Sequence, residues 1–287
     1  MIDRPEGELH VQDQANSIAA EFVRSRLTAV SLSKYPGAVP ANLVDAYACQ
    51  DVAIGCWPDR ICGWKVARIS SAWQPHFPEE RLVGPIFRRN FHQAAAGQST
   101  ACAVFNGGFA AVEVEIGILM GPVPPADKTE WTVAEAAELV DRICIGVEIA
   151  SSPLATLNDL GPGAVISDFG NNWGAIAGDT IADWRTRSRQ IQCESYINDQ
   201  WVGRGTVDFP NAPLAAFAFA LSKAARRGRP LRAGAYISTG MITGVHHVRI
   251  GDRARLTFAD CGEILCHTVA AIPWLPEAAA RPVERRA

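Results

Sequence analysis

The sequence of 287 residues lacks any apolar run as long as the roughly 18 residues that a membrane-spanning helix needs. It also lacks a dense basic region, since basic residues gather only in short runs such as "ARRGRPLR" and the formal net charge is −3. Proteins that bind nucleic acid or an anionic membrane surface are typically basic where they bind. We therefore expect neither a nucleic acid nor a membrane as a partner.

Closely spaced cysteine pairs are missing as well. The chain has eight cysteines, but none forms a C-x-x-C pair, and the closest are Cys56/Cys62 and Cys261/Cys266. The opening residues, "MIDRPEGELHVQDQANS", are polar and acidic, which is not the pattern of a secretory signal. The cysteines are therefore expected to be reduced thiols in a cytoplasmic protein, and not a disulfide framework or a structural zinc site.

Several common catalytic motifs are absent or incomplete. "GPGAVISDFG" is rich in glycine but has no Lys-Ser/Thr to complete a phosphate-binding loop, and no Gly-x-Ser-x-Gly marks a nucleophilic serine. His246 and His247 are adjacent, so on a strand they would point to opposite faces and could not easily share an ion. These segments do not predict nucleotide binding, serine catalysis or a histidine metal site.

The composition that is present, 48% hydrophobic and 20% charged, is ordinary for a soluble globular protein. Apolar residues at helical spacing predict helices at 14–32, 39–54, 132–143 and 212–228. Most other segments after Gly55 are short apolar runs bounded by Gly, Pro, Asn and Asp, which are typical of strands. Examples are "GWKVARI", "GAVISDFG" and "EILCHTVAA".

This pattern predicts an α+β fold with a mainly antiparallel β core. We expect a small helical N-terminal lobe over residues 1–60, a β-rich catalytic domain with two inserted helices over 61–275, and a frayed tail over 276–287.

One predicted strand carries two carboxylates within its apolar run. In "AAVEVEIGILMG" (110–121), Glu113 and Glu115 are two residues apart. On a strand they project from the same face, about 6.6 Å apart along the axis. A strand with one face in water alternates in the same way, so solvent exposure is the simpler explanation of this segment taken alone.

A second apolar strand, "IGVEIASS", places Glu148 among apolar neighbours. Three carboxylates in a dry place would repel one another by about 4 kcal/mol per pair at 4 Å and an effective dielectric near 20. A divalent cation would remove that repulsion, and ligation by carboxylates alone favours Mg²⁺ or Mn²⁺ over zinc or copper. From spacing alone, a metal site and a solvated face are about equally supported.

"VEVEIG", followed some thirty residues later by "GVEIASS", resembles the fumarylacetoacetate hydrolase superfamily. The resemblance is closer to its branch of 2-keto-4-pentenoate hydratases and 4-oxalocrotonate decarboxylases. "CGWKVARIS", "VGPIFRRN", residues 198–244 and "VRIGDRARLTF" agree with the branch in order and spacing, so the resemblance covers about residues 20–270. It implies a mixed β-roll fold, a homo-oligomer, and one Mg²⁺ or Mn²⁺ held by Glu113, Glu115 and Glu148.

The resemblance also implies a set of site residues. It places Lys65 on the catalytic lysine of the branch, although without that context Lys65 would be a strand-end lysine in solvent. Asp168 could orient a water or Lys65, or it could merely cap the turn that follows. Six residues are implied to contact substrate: Phe87, Arg88, Arg89, Asn171, Thr239 and Gly240.

The implied substrate is a small 2-oxo or 2-hydroxy-enoate carboxylic acid. The ion would act as a Lewis acid on an enolate, while Lys65, its pKa lowered by burial, would move protons to and from the carbon chain. The resemblance favours a hydratase. Decarboxylation of an oxalocrotonate and C–C hydrolysis of an acylpyruvate share the enolate and stay open.

Several positions depart from the branch. Its loop after the Phe is usually acidic, whereas this chain has Arg88 and Arg89, which predict either a clamp for a second carboxylate or a solvated pair. The other departures are Asp168-Phe169-Gly170-Asn171 for the usual Asp-Asn-Ala-Ser, Met241 for a serine, and Ala67-Arg68 for Gly-Leu. Because the substrate-facing positions differ, a binding protein without activity is a further alternative.

Overall fold

The computed structural model describes residues 6–186 and 188–274, with side chains from residue 12 onward. The predicted tail at 276–287 lies outside the described residues. The helices and strands of the described part follow in chain order: α1 (Glu6–Thr28), α2 (Leu43–Cys56), β1 (Ile61–Arg68), β2 (Arg81–Phe87), β3 (Phe91–Gln93), β4 (Ser99–Val104), β5 (Phe109–Met120), α3 (Val133–Glu138), β6 (Val140–Ser152), α4 (Pro162–Ser167), β7 (Asn172–Thr180), β8 (Arg189–Ile197), β9 (Gln200–Phe209), α5 (Asn211–Arg226), β10 (Tyr236–Ser238), β11 (His246–His247), β12 (Arg253–Phe258) and β13 (Gly262–Ala270).

The strands form two mixed sheets. The larger sheet has the order β2-β1-β10-β5-β6-β7-β3, with β11 added beside β5. The smaller sheet has the order β4-β13-β12-β8-β9. Most neighbours are antiparallel, and the parallel pairs are β1/β10, β3/β7 and β4/β13. The predicted class, a mainly antiparallel mixed β core with few helices, is confirmed.

The longest strands, β5 and β6, lie in the middle of the larger sheet and are buried along almost their whole length. Val112, Val114 and Ile116 of β5 point into the main hydrophobic core and are 0% exposed. Because both faces of the strand are covered, its sequence is apolar almost throughout instead of alternating. The face opposite this core carries Glu113 and Glu115.

The N-terminal helices pack against each other, and α2 also packs against α4 and β2. Phe22 of α1 contacts Tyr35 edge to face, with ring centroids 5.6 Å apart. The Gln50 side chain of α2 donates hydrogen bonds to the backbone carbonyls of Val83 in β2 and Ile166 in α4, at 3.1 and 3.0 Å. Buried polar groups need such partners, so these bonds fix α2 against both elements. The domain boundaries at residues 60 and 275 remain a prediction.

The helix predicted at 132–143 is wrong over its second half. A capping box between Thr132 and Glu135 begins α3, but the helix ends at Glu138. From Val140 onward the chain is β6, whose Ile143 and Ile145 are fully buried beside β5. Burial of β-branched side chains between strands outweighs the helical spacing of this segment.

The strand predicted at "GAVISDFG" is wrong, and a strand at 81–87 escaped prediction. Pro162 begins α4, where its missing N–H goes unused. Gly163 is needed there because a Cβ would lie 2.1 Å from the Pro40 carbonyl oxygen. β2 contains Gly84 and Pro85, which break the apparent strand pattern, but β2 is an edge strand and tolerates a proline.

Candidate functional site

The three predicted metal ligands meet in the larger sheet. Glu113 and Glu115 project from one face of β5, and Glu148 lies directly across from Glu113 on β6. One carboxylate oxygen from each residue lies within 4.8 Å of the others, and the three residues are 8%, 1% and 0% exposed. The solvated-face explanation is therefore wrong, and the arrangement could hold one divalent cation.

Neighbouring groups hold two of these carboxylates and leave oxygens free for an ion. Glu115 Oε2 accepts hydrogen bonds from the Ser238 hydroxyl and, at 3.0 Å, from the Gly240 amide. Glu148 Oε1 accepts one from Asn172 Nδ2 at 2.9 Å. Among the described residues, Glu115 Oε1 and Glu148 Oε2 are buried without a hydrogen-bond partner. Buried oxygens without donors fit a hard cation, which binds through oxygen.

The electrostatics of the cluster are unbalanced. Burial, reinforced by the charge of Glu148 and opposed by Lys65, raises the pKa of Glu113 to about 8. Burial and the charges of Glu148 and Glu113 raise the pKa of Glu115 well above its ordinary value. One lysine is thus too little charge to keep three buried carboxylates ionised. A divalent cation supplies the charge that is missing.

Lys65 lies beside the cluster, with its Nζ 3.4 Å from Glu148 Oε1, and it is buried. Burial alone would lower the pKa of Lys65, but the charges of Glu148, Glu113 and Glu115 outweigh burial and raise it. The lowered pKa that the sequence analysis expected for Lys65 is therefore not found while the charges of the three carboxylates are not balanced by a cation. Those same charges are the ones a bound cation would neutralise.

A cavity of about 430 Å³ opens above the cluster, a volume suited to a small ligand. Lys65, Glu113, Asn171, Thr239 and Gly240 all line it. Asn171 has a φ of +63° and its Nδ2 donates to Asn158 Oδ1 at 3.1 Å. The structure thus gathers five of the predicted site residues around one space.

Asp168 does not line this cavity. Its carboxylate lies 2.5 Å from the guanidinium of Arg26 in α1, and both side chains are fully buried. The same guanidinium donates to the backbone oxygens of Ser151 and Asn172, both at 3.1 Å. Asp168 therefore anchors the segment that carries Asn171 and Asn172, and its catalytic role stays a prediction that this geometry does not favour.

Phe87, Arg88 and Arg89 also lie outside the cavity lining. Phe87 is buried and packs against Phe169, with ring centroids 5.0 Å apart. Arg88 and Arg89 are exposed in a short 3-10 turn, and the Arg89 guanidinium lies 4.1 Å from the ring centroid of Trp274. The solvated-pair alternative describes these two arginines better than the predicted clamp does.

Several residues that shape the site escaped prediction: Arg26, Arg81, Asn172, Tyr236 and Ser238. Ser238 sits on the short strand β10, where its register opposite Gly117 aims it at Glu115. The ring of Tyr236 lies over Gly117 and Gly146, where an added Cβ would come within 2.4 Å of the tyrosine hydroxyl. Only the strand pairing, which the sequence pattern did not reveal, brings these residues to the cluster.

Comparison with known proteins finds no matching family model and no match among curated proteins. Solved structures do match. A 4-oxalocrotonate decarboxylase from Pseudomonas putida G7, complexed with magnesium and adipate, has a TM-score of 0.72 at 18% identity, covering 90% of this chain and 98% of that one. The same enzyme complexed with calcium and acetate has a TM-score of 0.69 at 20% identity, with the same coverage.

A fumarylpyruvate hydrolase from Pseudomonas aeruginosa, in complex with Mn²⁺ and pyruvate, has a TM-score of 0.55 at 19% identity, covering 74% of this chain and 91% of that one. At these identities the matches show the fold alone. None of the described helices has the length and apolarity to cross a membrane. The chain shares the fold of these solved enzymes, in agreement with the mixed β fold that the resemblance implied.

Proposed function

We propose that this protein is a divalent-metal-dependent lyase acting on small 2-oxo or 2-hydroxy-enoate acids. One observation carries the proposal: three buried carboxylates, two of which keep an unpartnered oxygen, converge beside a buried lysine, and Glu113 and Lys65 line a ligand-sized cavity. Structural metal sites are closed, whereas this one opens on a cavity in which a substrate could complete the coordination.

Glu113, Glu115 and Glu148 would hold Mg²⁺ or Mn²⁺. When bound, the ion would supply Lewis-acid polarisation of the oxygens of a 2-oxo acid. Ser238 and the Gly240 amide keep Glu115 in place, and Asn172 does the same for Glu148. Lys65 is the buried, protonatable group next to this position, so it would deliver a proton to the substrate carbon chain or remove one.

The ligands of the structurally similar enzymes support this substrate class. The Pseudomonas putida decarboxylase holds adipate or acetate together with a divalent ion, and the Pseudomonas aeruginosa hydrolase holds pyruvate together with Mn²⁺. All are small carboxylates beside a divalent cation. A small carboxylic acid is therefore the ligand we propose for this cavity.

Within this class we propose hydration, the addition of water across a carbon–carbon double bond of the enoate. Decarboxylation is the second candidate, because the decarboxylase matches 90% of this chain and the hydrolase only 74%. Both reactions need the same proton transfer to carbon, which is the role given to Lys65. Assembly into a homo-oligomer and a cytoplasmic location remain predictions.

The test is turnover by the purified protein with added Mg²⁺. We expect it to consume 2-hydroxypenta-2,4-dienoate, followed as loss of ultraviolet absorbance, while release of CO₂ from 4-oxalocrotonate reports the second candidate. Glu115→Gln should abolish either activity, because it removes a ligand carboxylate. If the protein binds oxalate or pyruvate with Mg²⁺ but turns over none of these acids, it is a binding protein and the proposal is overturned.

A further inference from the structure

The cavity has a second charged region that the metal chemistry does not use. Arg68 and Arg81 line it together with Lys65 and Glu113. Arg68 is the last residue of β1 and Arg81 the first residue of β2, and the two stand directly opposite each other in the antiparallel pair. Two cationic side chains therefore share one position on the cavity wall.

This pairing is unfavourable in the protein alone. Within the described residues, neither guanidinium forms an ion pair or a side-chain hydrogen bond. Burial and the charge of Arg68 lower the pKa of Arg81, and the exposed Glu80 opposes them only in part. Like charges directly opposite each other destabilise a sheet. An anionic ligand between the guanidinium groups would convert this repulsion into attraction.

The arginines lie away from the metal end of the cavity. Arg68 is three residues beyond Lys65, which is about 10 Å along a strand. The lining continues past the end of β1, because Ile69, Ser70 and Trp73 also belong to it. The arginine pair thus faces the part of a substrate remote from its metal-binding group.

The charge balance also differs between the two ends. A divalent cation with Lys65 would neutralise the three carboxylates of the metal end. Apart from these groups and the two arginines, the charged side chain of the lining is Asp208, whose carboxylate accepts hydrogen bonds from Gln190 and Asn211 at 3.3 and 3.2 Å. Because the single carboxylate of Asp208 cannot balance the charges of both Arg68 and Arg81, this part of the lining keeps an excess of positive charge.

We propose that Arg68 and Arg81 form a subsite for a second carboxylate, at the end of the substrate remote from the metal. The inference rests on the proposed function, and within its substrate class it predicts a preference for 2-oxo or 2-hydroxy-enoate diacids over monoacids such as 2-hydroxypenta-2,4-dienoate. Guanidinium groups suit this role because they bind a carboxylate through two parallel hydrogen bonds. Arg68 stands at one of the positions where the sequence departs from the branch it resembles.

The experiment compares two non-reacting ligands of equal chain length, 2-oxoadipate and 2-oxohexanoate, which differ only in the second carboxylate. Calorimetric titration of the Mg²⁺-loaded protein should show 2-oxoadipate binding at least about 10-fold more tightly, the scale of a charge-assisted contact. Arg68→Ala and Arg81→Ala should each reduce this preference, leave the affinity for 2-oxohexanoate unchanged, and weaken the salt dependence of diacid binding.

Arg88→Ala is the matched control, since it removes the same charge from an exposed arginine outside the cavity lining. It should keep the preference for the diacid. Thermal unfolding gives a second measurement: if the arginines were structural, Arg68→Ala would unfold earlier, whereas relief of repulsion should leave its melting temperature equal to or above that of the wild type.

The outcomes separate the two proposals. Equal affinity of the wild type for both ligands, each requiring Mg²⁺, overturns the diacid subsite and leaves the proposed function standing. Binding of neither ligand in the presence of Mg²⁺ overturns both. A preference for the diacid that survives in Arg68→Ala and Arg81→Ala assigns the second carboxylate to another part of the protein.

Discussion

The Lys65 ammonium lies 3.4 Å from the Glu148 carboxylate and lines the cavity, a position suited to proton transfer to a bound acid. Replacing it with methionine keeps much of the side-chain volume and removes the proton. We expect Lys65→Met to lower turnover by about 10²-fold or more, the usual scale for a lost general acid or base. Initial rates with Mg²⁺ and the dienoate measure this.

Binding separates catalysis from damage to the site. Lys65→Met should still bind Mg²⁺ and oxalate, because the three carboxylates remain. Lys128→Met is the control, since Lys128 also contacts a carboxylate, that of Glu135, but outside the cavity lining. Near-normal turnover in Lys65→Met would show that the lysine only balances charge.

At the scale of single residues, the sequence predicted the three carboxylates that meet in the larger sheet, but not the partners that hold them. Glu113 and Glu115 were accessible to prediction because strand periodicity fixes their common face. The distant partners Ser238 and Asn172 reach the cluster through strand pairing, which no local pattern encodes. The clamp at Arg88 and Arg89 stays a prediction, and both residues lie outside the cavity lining. Charge alone does not say which arginines face the cavity.

At the scale of elements, one side chain of α1, Arg26, connects the helix to β6, β7 and the segment between α4 and β7. Arg26 is buried beside Asp168, and its guanidinium also donates hydrogen bonds to the backbone oxygens of Asn172 and Ser151. Removing one member of a buried pair leaves the other charge without compensation, typically destabilising by about 3–5 kcal/mol. Arg26→Met should therefore lower the free energy of unfolding by this amount, measured by urea denaturation.

Arg24→Met on the same helix is the matched control. Arg24 pairs with Glu21 at 2.7 Å, but both side chains are largely exposed, and exposed pairs contribute about 0–1 kcal/mol. We expect a small change there. Equal destabilisation by the two substitutions would contradict a stabilising role of the buried Arg26–Asp168 pair. Unchanged Mg²⁺ affinity in a folded Arg26→Met variant would show that α1 does not support the carboxylate cluster.

Elements were predictable where burial and local pattern agree, as in β5, β8, β9 and α5. They were mispredicted where tertiary contacts decide. Pro162 begins the helix α4, and Gly163 lets the helix pass close to the Pro40 carbonyl. This contact between distant segments cannot be predicted from the local sequence. Residues 140–143 belong to the strand β6 and not to the predicted helix, because β6 pairs with β5 along its whole length.

At the scale of the whole molecule, a metal at the centre of the larger sheet should stabilise the fold. Ligand that binds only the native state adds about 2.7 kcal/mol at a concentration of 100 times Kd. For a chain of this size we expect the melting temperature to rise by several degrees with saturating Mg²⁺. Scanning calorimetry with and without a chelator measures the shift.

Glu115→Gln tests where that stabilisation originates. The variant should melt at the same temperature with Mg²⁺ and with chelator, because its site lacks a ligand. Glu263→Gln, an exposed carboxylate on β13, is the control and should keep the wild-type shift. A Mg²⁺-dependent rise that persists in Glu115→Gln would place the stabilising ion elsewhere.

The contact of Tyr236 with Gly146 also constrains the order in which this chain can acquire mutations. A methyl group on Gly146 meets the tyrosine hydroxyl at 2.4 Å, and the next nearest atom only at 3.3 Å. Among the described residues that hydroxyl has no hydrogen-bond partner, so Tyr236→Phe loses little. A lineage that substitutes Tyr236 first therefore opens Gly146 to alanine, whereas the reverse order passes through a strained intermediate. The order of substitution at the two positions therefore matters, although neither residue is a proposed metal ligand.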